Sequence, residues 1–450
     1  MNLTQDDLKK IYLKYLFTAF GSAIVLSIYS TVDLICVGHY NGPLGAAALS
    51  VVTPIWAFTV GIGILIGLGG AVMTSVCRGK GDERDANEYF TVSMIITVAV
   101  TIILTAFYCI YRKEILIFFG ADETVLPYAM TYTKWLFLGF PFYIIVQPLI
   151  LFLRNDNSPT LAAISVMGGG VLNIVGDIYL VFFRDMGLEG AGLATALGEL
   201  LSALIMSTHF LSKKCTLKFV RPHRIINKSL KTLSSGLSPS FDCIAPGVIL
   251  IAFNNVIAAN LGQDALAIYG IAANLFSMSY SLFSGIGQAI QPISSENFGA
   301  GLTRRVKKTL YYGIVSGAAT AAVILILTQI FPHTILRIYM NAPDDVIETG
   351  AGILRIFCIS LVFMGLSTVI CYYLQSTLNT NKAFIVSFSR SLLLPAIFLA
   401  VLPNVVGYDI IWWIIPISEA VAFVLGMFFT AANLQKISIS VIPGKKTISS

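Results

Sequence analysis

Charge is scarce in this chain. Asp, Glu, Lys and Arg make up 12% of its 450 residues, against 56% apolar residues and a mean hydropathy of +0.82. Soluble domains carry about a quarter charged residues, so a water-soluble globule is excluded. Cysteine and histidine chemistry is thin as well. The seven Cys are scattered without a C-x-x-C pair, and His39, His209, His223 and His333 are isolated in the sequence. The spacing therefore gives no support to a disulfide framework, a zinc site or a His-based catalytic cluster. There is no Walker motif to draw energy from ATP. Gly61, Gly63, Gly67, Gly69 and Gly70 do not follow a strand, as a dinucleotide fingerprint requires. The first ten residues include Asp6, Asp7, Lys9 and Lys10, a poor match to a signal peptide.

Long apolar runs, by contrast, recur from end to end. Each reaches roughly 20 residues, enough for a helix to cross ~30 Å of hydrocarbon. They predict twelve spans near 13–38, 46–76, 89–111, 127–153, 159–183, 188–211, 233–260, 264–293, 309–331, 347–375, 383–403 and 410–432. The chain also repeats itself at a shift of about 220 residues. Gly42 and Ala47 recur as Gly262 and Ala267; Gly187, Glu189 and Glu199 recur as Gly407, Asp409 and Glu419; Lys134 recurs as Arg355. A steady shift over this length means two similar halves. Six spans per half bring the second half in with the orientation of the first, so the repeats are parallel. The expected fold is an all-α integral membrane protein with twelve transmembrane helices in two parallel six-helix repeats around a central cavity. Its divisions are an N-lobe at 1–211, a cytoplasmic basic linker at 212–232 and a C-lobe at 233–450.

The placement of Lys and Arg sets the expected orientation. With both termini inside, inner segments hold Lys9, Lys10, Lys14, Arg78, Lys80, Arg84, Arg154, the basic linker, the Arg304–Lys308 cluster, Lys382, Lys436, Lys445 and Lys446. The outer loops hold only Arg112, Lys113, Arg184 and Arg337. The net charge of +6 then reflects contact with membrane lipids, and no nucleic-acid partner is needed. The linker is expected at anionic headgroups, with a regulatory partner as the alternative. Gly63 and Gly67 have the spacing that allows close helix approach. Prolines within spans, such as Pro141, Pro148 and Pro292, act either as packing adjustments or as hinges.

Ionisable groups inside spans cost ~2.5–3.5 kcal/mol each on insertion scales and usually face a cavity or a partner. Here they are Asp33, Asp177, Glu199, Asp242, Glu419, Lys134, Arg355 and Arg390. Tyr29 and Asp33, Asn173 and Asp177, and Thr195 and Glu199 are each one turn apart on three helices of the first half. Such oxygens suit Na+, and a buried carboxylate can also take a proton. The plainer alternative is that they only hydrogen-bond helices together. The second half does not repeat this chemistry: Asp33 meets Phe253, Asn173 meets Leu393 and Asp177 meets Ile397. Glu199 and Glu419 match, and read as scaffold. Asp242, opposite Ser22, is a candidate for protonation or contact with a cationic substrate, or has a local structural role. Lys134 and Arg355 read as snorkelling groups, or as a pair at the cavity mouth.

With Asp33 in the first span and Asn173-Ile-Val-Gly-Asp177 in the fifth, the chain resembles the multidrug and toxic compound extrusion (MATE) transporters, nearest a prokaryotic DinF-like branch. Gln288-Ala-Ile-Gln291-Pro292, Asn297-Phe-Gly-Ala300 and Pro416-Ile-Ser-Glu419 add to the likeness. The resemblance implies a bacterial inner-membrane antiporter, working as a monomer, that exports small organic molecules, cationic or amphipathic, as Na+ or H+ enters. It implies no cofactor beyond that ion. The implied cation site is Asp33, Asn173, Asp177 and Thr195, with Tyr29 nearby and no other metal site. Gln288 joins Asp242, Glu199, Glu419, Lys134 and Arg355 as a secondary candidate. One departure is the missing proline about three turns before Asp33, where the chain reads Ala19-Phe20-Gly21-Ser22. A lipid-linked oligosaccharide flippase of the same superfamily is the alternative, and would want basic groups to hold a pyrophosphate. An intramembrane enzyme lacks its nucleophile and base.

Overall fold

The computed structural model describes residues 2–340 and 342–439, so Lys445 and Lys446 lie outside the described residues. Twelve helices are long and apolar enough to cross a membrane. In chain order they are Leu8–Gly42, Ala47–Gly79, Glu83–Ile110, Leu126–Asn155, Pro159–Phe183, Gly187–Leu211, Ile225–Asn260, Gly262–Gly299, Thr303–Ile330, Asp344–Ser376, Thr380–Val406 and Tyr408–Gln435. Short helices Arg112–Phe118 and Pro332–Tyr339 follow the third and ninth spans, again 220 residues apart. Asp7 caps the first span, accepting from the Lys9 N–H at 2.8 Å, and Asp82 caps the third, accepting from Asp85 N–H at 2.9 Å. Between the first and second spans the backbone breaks at Gly42, with φ 63° and ψ −152°. A side chain would disfavour that conformation, and Gly262 repeats the positive φ at the same place in the second half.

The chain forms two compact units, Met1–Cys243 and Ile244–Ser450. The division falls within the seventh span. In the first unit, glycines let helices approach to backbone distance, as the 63/67 spacing foretold. A Cβ on Gly63 would lie 2.7 Å from Gln147 Cβ, and one on Gly67 2.6 Å from Pro148 Cα, so the second and fourth spans touch there. The second and seventh spans are closer still: Gly69 faces the Thr232 carbonyl and Gly236 the Leu65 carbonyl. Tyr108, Phe137, Phe140 and Tyr143 stack into an aromatic core between the third and fourth spans. In the second unit the eighth and tenth spans interlock, with Gly287 against Tyr372 and Gly365 against Phe283.

The linker differs from expectation. The seventh helix begins at Ile225, so the last residues of the expected linker are helical. The stretch before it is held along the third span. Asn87 Oδ1 accepts from Lys218 N–H at 2.8 Å, Thr91 Oγ1 from Val220 N–H at 3.0 Å, and Glu88 Oε2 from His223 N–H at 2.8 Å. Lys228 is buried rather than at the headgroups. Its ammonium pairs with Asp85 and with Glu88 at 3.0 Å, and stands 4.5 Å from the Tyr89 ring centre. Lys213, Lys214, Lys218 and Lys231 remain exposed.

Candidate functional site

The helical register that puts Tyr29 and Asp33 on one face, and Asn173 and Asp177 on another, aims these groups into the first unit. Asp177 is fully buried, and neither of its carboxylate oxygens has a hydrogen-bond partner. Asn173 is 3% exposed; its Nδ2 donates to Thr195 Oγ1 at 3.1 Å, while its Oδ1 has no partner. Thr195 donates in turn to the Ala191 carbonyl at 2.9 Å. Asp33 Oδ2 accepts from Tyr132 OH at 3.0 Å, and Asp33 Oδ1 has no partner. Asp33 and Asp177 lie close enough to feel each other's charge, and Tyr29 lies within the field of both. The fold thus brings together Tyr29, Asp33, Asn173, Asp177 and Thr195 from three spans. The arrangement leaves four buried acceptor oxygens without donors. A small cation, or a proton shared among them, would satisfy that set.

Asp177 ends the regular α-helix of the fifth span. A π-helical turn, Ile178–Phe183, follows it directly. Such turns relax the backbone ladder and recur at functional sites.

Tyr132 was missed in the sequence. The sequence marks it only by a mismatch: at the shift that matches Lys134 with Arg355, Ile353 stands at its place.

The secondary candidates separate. Lys134 Nζ donates to Glu189 Oε1 at 2.6 Å, which also accepts from Trp135 Nε1 at 2.8 Å. Arg355 is held differently, its Nε donating to the Gln329 carbonyl at 3.3 Å. Arg390 and Glu419 form a buried ion pair at 3.4 Å. These three basic groups are thus engaged within their own halves, and none favours the flippase reading. Gln288 donates to Ser284 Oγ at 3.2 Å, beside Tyr372 OH. Asp242 is buried in the seventh span.

The fold also gathers Asp156, His209 and Cys215, which sequence spacing had kept apart; their ligand atoms lie within 4.8 Å of one another. Asp156 is already engaged there. It pairs with Arg78 at 3.0 Å and with His209 Nε2 at 2.7 Å, and accepts from the Thr216 N–H at 3.0 Å and hydroxyl. Burial alone would raise its carboxyl. The His209, Arg78 and Thr216 contacts prevail and hold it down at about 2. This cluster fastens the start of the linker to the loop after the fourth span.

The MatE family model matches residues 19–179 and 248–401. The chain belongs to the MATE family. It is therefore a multi-pass membrane transporter and not an enzyme. Among relatives, the multidrug export protein MepA of Staphylococcus haemolyticus is 25% identical over 92% of this chain and 91% of its own length. MepA of Staphylococcus aureus strain MSSA476 is 23% identical over the same shares. Of solved structures, an outward-facing multidrug resistance MATE transporter of the MOP superfamily superposes with a TM-score of 0.89, covering 97% of this chain and 98% of that one, at 18% identity. That likeness concerns the fold.

Proposed function

We propose that this MATE transporter is an antiporter of the bacterial inner membrane that expels small organic compounds, cationic or amphipathic, as Na+ or H+ enters. Asp33, Asn173, Asp177 and Thr195 take up the ion, beside Tyr29, and the protein works as a monomer with both termini in the cytoplasm. The observation that carries this reading is Asp177, fully buried with both oxygens unpartnered, next to further unpartnered oxygens on Asn173 and Asp33. The relatives named as multidrug exporters support the direction of transport. Filling the site removes the cost of buried unpaired oxygens, and this biases the packing of the first-half helices. The site is thereby exposed to either side of the membrane in turn. One monovalent charge entering down 100 mV supplies ~2.3 kcal/mol, about a 50-fold gradient of a neutral substrate.

The test is efflux of ethidium, a planar organic cation, from vesicles with an imposed Na+ or proton gradient. Asp33→Asn and Asp177→Asn are each expected to lose gradient-driven efflux while the protein still folds. Full efflux in both variants would show that coupling lies elsewhere.

A further inference from the structure

A carboxylate buried in a spanning helix needs a cation or a proton beside it. The second half supplies the cation from its own sequence. Glu419, 3% exposed, pairs with Nη1 of Arg390, 4% exposed, on the eleventh span. The same nitrogen donates to Thr368 Oγ1 at 3.2 Å and to the Met364 carbonyl at 3.4 Å. The Tyr280 ring centre lies 5.7 Å from the guanidinium carbon.

Glu199 holds the matching place in the first half, and among the described residues no ion pair reaches it. At the repeat shift, Arg390 falls on the run Gly168-Gly169-Gly170. The run is tightly packed, and at Gly169 no side chain fits. A Cβ on Gly169 would sit 2.0 Å from Ser202 Oγ and 2.5 Å from the Gly198 carbonyl, and one on Gly170 would sit 2.7 Å from Val25 Cγ1. Glu199 Oε2 is buried without a hydrogen-bond partner. The titratable groups that feel its charge are phenolic, Tyr29 on the first span and Tyr143 on the fourth, and those two also feel Asp33. Sodium would need several oxygens around it, whereas a proton needs one.

We propose that Glu199 is a proton-binding site of the first half, additional to the Asp33–Asp177 site, holding in exchangeable form the positive charge that Arg390 supplies permanently to Glu419. Its place in the transport cycle rests on the antiport reading; its protonation does not.

Infrared difference spectra between acidic and alkaline buffer, taken on the full chain in lipid, test the protonation. Glu199→Gln should remove a protonated-carboxyl component that Asp33→Asn and Asp177→Asn retain. In vesicles, Glu199→Gln should move one fewer proton per ethidium, and Glu199→Asp should restore the ratio. An infrared spectrum unchanged by Glu199→Gln overturns the protonation, and an unchanged proton count overturns its place in the transport cycle. If the unaltered protein moves no ethidium under any gradient, the antiport reading fails while the infrared measurement still decides Glu199.

Discussion

Asp156 shows how one side chain can govern a whole segment. Its carboxyl is held down at about 2 against burial, so its stabilising contacts are fully present above the ordinary Asp value of about 3.9 and are lost as pH falls through about 2. The shift corresponds to ~2 kcal/mol. The linker should therefore resist pepsin near pH 4 and become susceptible near pH 2, while Asp156→Asn should make it more susceptible to trypsin at neutral pH, at Lys218 within the fastened stretch. The Arg390–Glu419 pair makes a different prediction. Removing one member strands a buried charge, so Arg390→Met should cost about 3–5 kcal/mol, whereas Arg390→Met with Glu419→Gln should cost much less than the sum of the two single changes. Denaturant unfolding in detergent measures both. A large, additive loss would mean that the two side chains do not act as a pair.

At the scale of elements, the helices are fitted by small residues and pinned by side chains that reach across to a neighbour. Gly236 lies so close to the Leu65 carbonyl that an added Cβ would stand 1.8 Å away. The obstacle is backbone, which cannot swing aside, so Gly236→Ala should cost 1–3 kcal/mol or more and lower the folded yield in detergent. Asn87 and Thr91 act on the linker instead, each accepting one of its N–H groups. Asn87→Ala with Thr91→Ala should leave both donors unpaired, at about 1 kcal/mol or more apiece. Faster amide exchange at Lys218 and Val220, with Leu302 and Val306 in the other half unaffected, is the expected signature. Leu378 offers a gain. It holds φ 59°, as Asn157 does at 57° in the matching turn. Leu378→Gly should relieve ~1 kcal/mol of that strain, read as a higher melting temperature.

Over the whole molecule, the membrane class, the twelve spans and the two-half repeat were legible because each rests on a property that the chain displays locally: apolar run length, or identity at a fixed shift. The grouping of Asp33, Asn173, Asp177 and Thr195 was legible for a related reason. Groups one helical turn apart share a face, and ionisable groups rarely occur in spans unless they meet one another. Tyr132 was hidden, because a tyrosine in an apolar span looks like packing until its hydroxyl has an acceptor. The Arg390–Glu419 pair was hidden because its two members come from different helices, and a repeat comparison shows which residues match rather than which ones touch. The same comparison made Glu199 and Glu419 look equivalent, although Glu419 is paired with Arg390 and glycines occupy the place of Arg390 in the first half. The linker misled for the opposite reason. Its composition is that of a solvated basic loop, yet three of its N–H groups and Lys228 are held by the third span.

That tethering bears on where foreign sequence can be placed in this chain. The polar stretch between the halves is the natural choice for an epitope or a fluorescent reporter. From Thr216 to Lys228, however, an insertion would have to break the bonds that fasten it. Ser212, Lys213 and Lys214 are exposed and come before the first of these bonds, and they are where a reporter should be tolerated.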